Sequence, residues 1–298
     1  MRAFAWFIGL MVVALAAVAL FAYPAWTLLH PHFDFPFHRI AERLGMLALL
    51  IGFIAVARHL GLADRASLGY GVPRRIFLRE MAFGLGLGVA TMLAVVGLMV
   101  ALGLLEWSTA SISPGALIGL IVARAVSGFA VAFIEETFLR GAMQTAITRE
   151  SGTRVAVLLT ALLYAATHFF AKARIAPEDV TPYSGLLLLG QSLHAFAHFA
   201  DIADAFLALF AVGVVLALVR AATGNIAPCI GLHAGWVWVM LVTRELTHPR
   251  PGAPLGFLLS HFDGFVGWLV LAWTVLLAVP VWRFYQRRAG RAQLASSC

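Results

Sequence analysis

The stretch GALIGLIVARAVSGFAVAFIEETFLRGA, residues 115–142, is apolar for most of its length and then meets two adjacent glutamates, Glu135 and Glu136, with Arg140 four positions on. A helix needs about 20 predominantly apolar residues to cross a hydrocarbon layer about 30 Å thick, and residues 115–139 supply such a run. A span that ends on two carboxylates and a guanidinium has to find partners or a task for them.

The rest of the chain reads the same way. Hydrophobic residues make up 62% and charged residues 12% of the 298, against about 45–50% and about 25% in soluble domains, and the mean hydropathy is +0.92. Runs long enough for spans lie at 3–23, 44–61, 80–104, 115–139, 155–172, 202–222, 226–243 and 265–283. The expectation is an all-α, polytopic membrane bundle of about eight helices. The fifth and seventh runs are the least hydrophobic, because each carries a histidine. No long soluble segment or repeat suggests a second domain, so 1–298 reads as one integral membrane domain. The run at 3–23 follows Arg2 and ends among small residues, but it is long for a signal peptide and reads as a retained span.

Arginine orients the bundle. With the N-terminus inside, the inner segments collect Arg2, Arg58, Arg65, Arg74, Arg75, Arg79, Arg140, Arg149, Arg154, Arg220, Arg283, Arg287, Arg288 and Arg291. The outer segments hold Arg39, Arg43, Lys172, Arg174, Arg244 and Arg250. Cytoplasmic loops concentrate basic residues, so both termini are expected in the cytoplasm. The same distribution accounts for the net charge of +7 as a basic membrane-facing surface, with the lipid bilayer as partner and no nucleic acid. The wealth of arginine beside a single lysine suits a GC-rich bacterial genome, hence the inner (cell) membrane. Cys229 and Cys298 form no disulfide framework.

Ionisable groups inside spans are expensive and are functional hypotheses by default. Here they are Arg124, Glu135, Glu136, Arg140, His168 and His233. Glu136 and Arg140 are four apart and share a helix face, whereas Glu135 is rotated by about 100° and is left free. If the fourth and fifth spans form a hairpin turning at Ser151 and Gly152, Glu135 and His168 lie at similar heights above the turn. His233 follows the punctuation TGNIAP, about 12 Å beyond Asn225 at 1.5 Å per residue. Three spans can therefore bring Glu135, His168 and His233 together.

A carboxylate withdrawn from water, with an arginine or histidine nearby, suits a general base that activates water, and two neutral histidines could donate hydrogen bonds to an oxyanion. The same three residues also match a three-ligand catalytic zinc site. Helix-bundle glue and a proton path through Glu135, His168 and Arg124 fit the spacing as well. Arg124 lies about 16 Å along the axis from Glu135, too far to pair with it, and requires a polar partner in another span or a water-filled cavity.

At these residues the chain resembles the CAAX prenyl protease and bacteriocin-processing (CPBP, or Abi) intramembrane proteases. The family's Glu-Glu-x-x-x-Arg motif is matched by Glu135, Glu136 and Arg140. Its Phe-x-x-x-His motif appears as YAATH, with Tyr164 in place of Phe and His168 as the histidine. A later histidine followed four residues on by Asn or another polar residue appears as HAGWV, with His233 present and Val237 in the polar position. The resemblance covers about 122–242, within a core of about 115–243. Extra spans lie at 3–104, and 265–283 follows with a basic tail.

The resemblance implies a membrane endopeptidase of protein or peptide substrates. Glu135 would activate the water, Glu136 and Arg140 would hold it in place, and His168 and His233 would complete the site and steady the oxyanion, with no cofactor and zinc as the alternative. A noncatalytic scaffold or immunity-type protein and a proton-coupled transporter are the alternatives from other classes. Valine at 237 removes a possible oxyanion donor, a loss of about 2.7–4 kcal/mol where a protease relies on it. Either Trp236 or Trp238 replaces it through an indole N–H, or activity falls. Eukaryotic relatives cut after a prenylated cysteine, and bacterial ones process leader peptides, bacteriocin-like peptides or C-terminal sorting tails. His194, His198 and Asp201 would share one helix face, which reads as the wet side of an interfacial helix sooner than as a metal site.

Overall fold

The computed structural model describes residues 1–33, 35–108, 112–169 and 175–296, with backbone alone for Ser192, Ala195 and 289–296. Lys172, Arg174 and Cys298 lie outside the described residues, as does the end of the run at 155–172. Helices α1 (Arg2–Leu29), α2 (Phe37–His59) and α3 (Arg74–Ala101) are followed by α4 (Pro114–Glu136) and a π-helical segment, Thr137–Met143. The chain continues through α5 (Gln144–Ser151), α6 (Thr153–Thr167), α7 (Ser184–Ala197), α8 (Ala203–Thr223), α9 (Ala227–Leu246) and α10 (Trp268–Ser296).

This is the expected all-α, polytopic membrane bundle. Among the described residues six helical stretches are long and apolar enough to cross a membrane: α1, α2, α3, Pro114–Ser151, α8 and Trp268–Arg288. The two expected spans outside that set are α6, which is only 15 residues long, and α9, the pair in which histidine lowers the hydropathy. A two-stranded antiparallel ribbon, β1 (Leu105–Trp107) with β2 (Thr247–Pro249), ties the end of α3 to the end of α9, with Glu106 opposite His248.

Local chemistry sets the breaks. Pro114 opens α4 beneath the Ser113 hydroxyl, which accepts the Ala116 N–H, as a proline at the first turn behind a serine cap should. The hairpin expected at Ser151 and Gly152 is present, with Gly152 at φ +84°. Gly224 ends α8 in the left-handed region. Asn225 then caps α9, its Oδ1 accepting the Ala227 N–H at 3.0 Å.

The closest helix pair, α3 against α9, is built from glycines that single-span reading passes over. A Cβ at Gly84 would stand 2.5 Å from the Pro228 carbonyl oxygen and one at Gly235 2.8 Å from that of Leu85, while Cβ atoms at Gly88 and Gly231 would run into the carbonyls of Leu232 and Met81. The spacing Gly84-x-x-x-Gly88 against Gly231-x-x-x-Gly235 lets two backbones touch, which is how apolar helices associate where lipid removes the hydrophobic drive. Gly231→Ala is therefore expected to destabilise the protein by about 1–3 kcal/mol although alanine favours helix. Gly86→Ala, in α3 with open space around it, is expected to stabilise by about 0.5–1 kcal/mol. Thermal unfolding in detergent should shift in opposite directions; a shared direction would mean that helix propensity outweighs the backbone contact.

One end of the bundle gathers the arginine-rich segments. The N-terminal amine and the first backbone N–H groups of α1 meet Glu150. Arg149 donates to Ser67 Oγ at 2.6 Å and Thr145 to the Ser67 carbonyl at 2.9 Å. Arg288 of α10 forks onto Glu80 of α3. Within the 60–73 loop, hydrogen bonds from the side chain and backbone of Ser67 hold the Asp64 carboxyl below the usual carboxylate range. The opposite end carries Arg250 on Glu106 at 2.9 Å and Arg124 on Glu245. Arg124 thus has its expected partner in another helix.

Candidate active site

The π-helical turn begins immediately after Glu136 and contains Arg140. The wider turn leaves the pairing of these two intact: Arg140 Nη1 donates to Glu136 Oε1 at 3.0 Å, and neither residue has any exposed surface. Arg140 Nη2 donates to the Gly213 carbonyl of α8 at 3.1 Å, and its guanidinium lies 4.7 Å from the centre of the Tyr164 ring. A buried arginine needs this much, because an uncompensated charge in the interior costs several kcal/mol.

His233 of α9 joins the same carboxylate. Its Nδ1 lies 2.9 Å from Glu136 Oε1. Glu136 is therefore shared by an arginine and a histidine, while Glu135 is left free, as its 100° rotation requires. Glu135 lines a cavity with His168 and His233, and its Oε2 is buried with no hydrogen-bond partner among the described residues. Three helices place the three side chains around one space, at the common depth expected from the residue counts.

Both histidines engage Nδ1 within the protein. His168 follows the last turn of α6, and its Nδ1 donates to the Tyr164 carbonyl at 2.7 Å, satisfying an acceptor that the helix end leaves open. His233 Nδ1–H donates to the Glu136 carboxylate. With both Nδ1–H groups committed, Nε2 is the ring atom of each histidine left to meet a water or substrate in the cavity.

The indoles do not replace the donor missing at Val237. Trp236 Nε1 donates to Thr91 Oγ1 at 2.9 Å and Trp238 Nε1 to the Ile121 carbonyl at 3.0 Å. The group that sequence reading missed is the Tyr164 hydroxyl. Its ring packs edge-on against both histidines, with centroids 4.6 Å from His168 and 5.7 Å from His233, and its Oη lies 3.5 Å from His233 Nε2. The signal was present as a tyrosine where the resembling family has phenylalanine.

The cavity holds about 330 Å³ and is walled mostly by apolar side chains such as Val131, Leu209, Val237 and Trp273. From Glu135 it extends to Ala205 in the first turn of α8 and Arg244 in the last turn of α9, where Arg244 pairs with Asp263 at 3.6 Å. This far end was not foreseen.

Residues 117–239 match the family model of type II CAAX prenyl endopeptidases, Rce1-like. The match agrees with the resemblance carried by Glu135, Glu136, Arg140, His168 and His233, all of which lie inside it. No curated protein and no solved structure matches the chain.

The other histidines stand apart. His194 lies in the last turn of α7, but the helix ends at Ala197, so His198 stacks its ring on His194 at 4.2 Å and Asp201 falls in a separate 3-10 turn. The single face expected for all three is broken by that helix end. Among the described residues no three His, Cys, Asp or Glu side chains are placed to share a metal ion.

Proposed function

We propose that the chain is an intramembrane endopeptidase in which Glu135 activates the hydrolytic water. The observation that carries this reading is the division of labour between adjacent carboxylates. Each has one buried oxygen without a partner among the described residues, but Glu136 is neutralised by Arg140 and tied to His233 through its other oxygen, whereas Glu135 lines the cavity and makes no ion pair with a described residue. A carboxylate in that state has unused capacity to accept a proton from water.

In the step we envisage, Glu135 takes one water proton as the water oxygen bonds to the substrate carbonyl carbon, and the carbonyl π electrons move onto its oxygen. His168 Nε2 accepts the second water hydrogen and orients the molecule. Glu136 and Arg140 position His233, whose Nε2 faces the Tyr164 hydroxyl. When the tetrahedral centre collapses, the C–N bond breaks and the amine leaves with the proton held by Glu135. Zinc would have to be held by Glu135, His168 and His233. The Nε2 of His233 faces the Tyr164 hydroxyl and, among the described residues, the three side chains are not grouped to share an ion, so no step here is routed through one.

The oxyanion donor in this scheme is Tyr164 Oη, the hydroxyl that lies 3.5 Å from His233 Nε2 while the Trp236 N–H is engaged elsewhere. Tyr164→Phe keeps the ring on Arg140 and is expected to lower kcat about 10²-fold with little change in KM. Adding Val237→Asn, on the wall of the same cavity, should recover part of the loss. A kcat within threefold of wild type for Tyr164→Phe would remove the hydroxyl from the mechanism.

The mostly apolar cavity suits an apolar peptide segment presented at the membrane. The basic end of the bundle fits a cytoplasmic placement of both termini, and the inner membrane of a bacterium is the location proposed. The test is cleavage of a quenched-fluorescent peptide library by the detergent-solubilised protein, with and without a strong chelator. Cleavage that survives the chelator supports glutamate-activated water; cleavage that is lost and returns with zinc transfers the role to a metal. A wild-type protein that cuts no peptide counts against the endopeptidase reading itself.

A further inference from the structure

A second cavity, of about 780 Å³, lies at the arginine-rich end between α3 and α10 and is separate from the Glu135 pocket. Four arginines border it, Arg79, Arg283, Arg287 and Arg288, against one carboxylate, Glu80. Glu80 is already engaged twice over. Arg288 reaches it with Nε at 2.9 Å and Nη2 at 3.1 Å, and Arg79 approaches it at 3.5 Å. Arg283 and Arg287 make no ion pair with any described residue. Among the described residues the rim therefore carries three positive charges in excess.

The inner surface of the same cavity is apolar. Pro280 and Phe284 line it, Phe284 stacks on Phe83 with centroids 5.6 Å apart, and the Arg288 guanidinium lies 4.1 Å over the Phe83 ring. Its depth along the helices is also specific. At 1.5 Å per residue Arg283 and Arg287 lie about 22 and 28 Å from the start of α10, which is where a hydrocarbon layer about 30 Å thick gives way to headgroups.

We propose that this cavity binds the phosphate of an anionic phospholipid, with Arg283 and Arg287 on the phosphate and the Phe284 surface against the first carbons of the acyl chains. Arginine is suited to this because its planar fork meets phosphate oxygens two at a time, and basic pockets between membrane helices select anionic headgroups. The occupant would brace α10 against α3 at the end where Arg288 and Glu80 already join them. Both helices also line the Glu135 cavity, through Thr91 of α3 and Trp273 of α10.

The experiment is native mass spectrometry of the full chain in a neutral detergent, titrated with palmitoyl-oleoyl phosphatidylglycerol, with the phosphatidylcholine of the same chains, and with inorganic phosphate. Wild type is expected to retain one phosphatidylglycerol at a concentration at least tenfold below that needed for phosphatidylcholine. The Arg283→Gln/Arg287→Gln double variant, whose changes are at exposed positions, should lose that preference while its melting temperature stays the same. Equal retention of the two lipids, or a double variant that binds phosphatidylglycerol as wild type does, overturns the site. Inorganic phosphate that binds as tightly as the lipid and displaces it overturns the lipid as the source of the phosphate. None of these outcomes depends on whether the protein cleaves peptides.

Discussion

Glu135→Gln is expected to reduce peptide cleavage by about 10³-fold or more while leaving the protein folded, inserted and able to bind the peptide. The substitution is nearly isosteric and leaves the Glu136–Arg140–His233 arrangement untouched, because Glu135 points away from it. What it removes is the proton acceptor, and general base catalysis contributes about 10²–10⁴-fold. The loss should therefore fall in kcat, with KM held within a few-fold, and the melting temperature in detergent should stay within a degree or two of wild type. Residual cleavage near the wild-type rate would sink the assignment of Glu135 as base. Glu136→Gln makes the contrast, since it strips the counter-charge from Arg140 and the acceptor from His233 Nδ1 and should lower stability and activity together.

Arg140→Met is the largest stability effect expected, about 3–5 kcal/mol, the usual consequence of leaving one partner of a buried ion pair uncompensated. Glu136 would retain His233 but lose its charge partner, the Gly213 carbonyl would lose its donor, and the Tyr164 ring would lose the guanidinium packed on its face. The double variant Glu136→Gln/Arg140→Met should recover a substantial part of that stability, because no lone charge remains, yet should stay poorly active, because His233 would be held less firmly. Unfolding of the three proteins under one detergent condition measures the difference. A double variant no more stable than Arg140→Met would mean that packing of the long side chain, and not charge pairing, holds this part of the bundle.

The membrane bundle was legible from the start of the chain to its end. Apolar runs of span length, glycines and prolines at the breaks, and one-sided arginine distribution follow from what a bilayer demands of a backbone and of a charge. Helical periodicity also separated the two glutamates correctly: four residues bring Glu136 to Arg140, and one residue turns Glu135 away. The common height of Glu135 and His168 came from counting residues to a turn that Gly152 does make.

Other features are set by contacts between helices, and spacing within one helix carries no information about them. Whether His233 would face Glu135 or Glu136 depended on how closely α9 approaches α4 and α3, which the glycines at 84, 88, 231 and 235 decide by admitting backbone to backbone. The proton positions on His168 and His233 depended on which oxygen each Nδ1 meets, one on its own helix and one on another. Trp236 and Trp238 looked free as residues of an apolar run, and only packing against Thr91 and Ile121 showed their N–H groups to be used. The sequence by itself determined that this protein lies in a membrane as helices and that Glu135 and Glu136 point apart, because both follow from local geometry. The tertiary structure decided which carboxylate is neutralised by which partners and which hydroxyl stands beside the histidines, because those depend on distances between residues 97 and 69 positions apart in the chain.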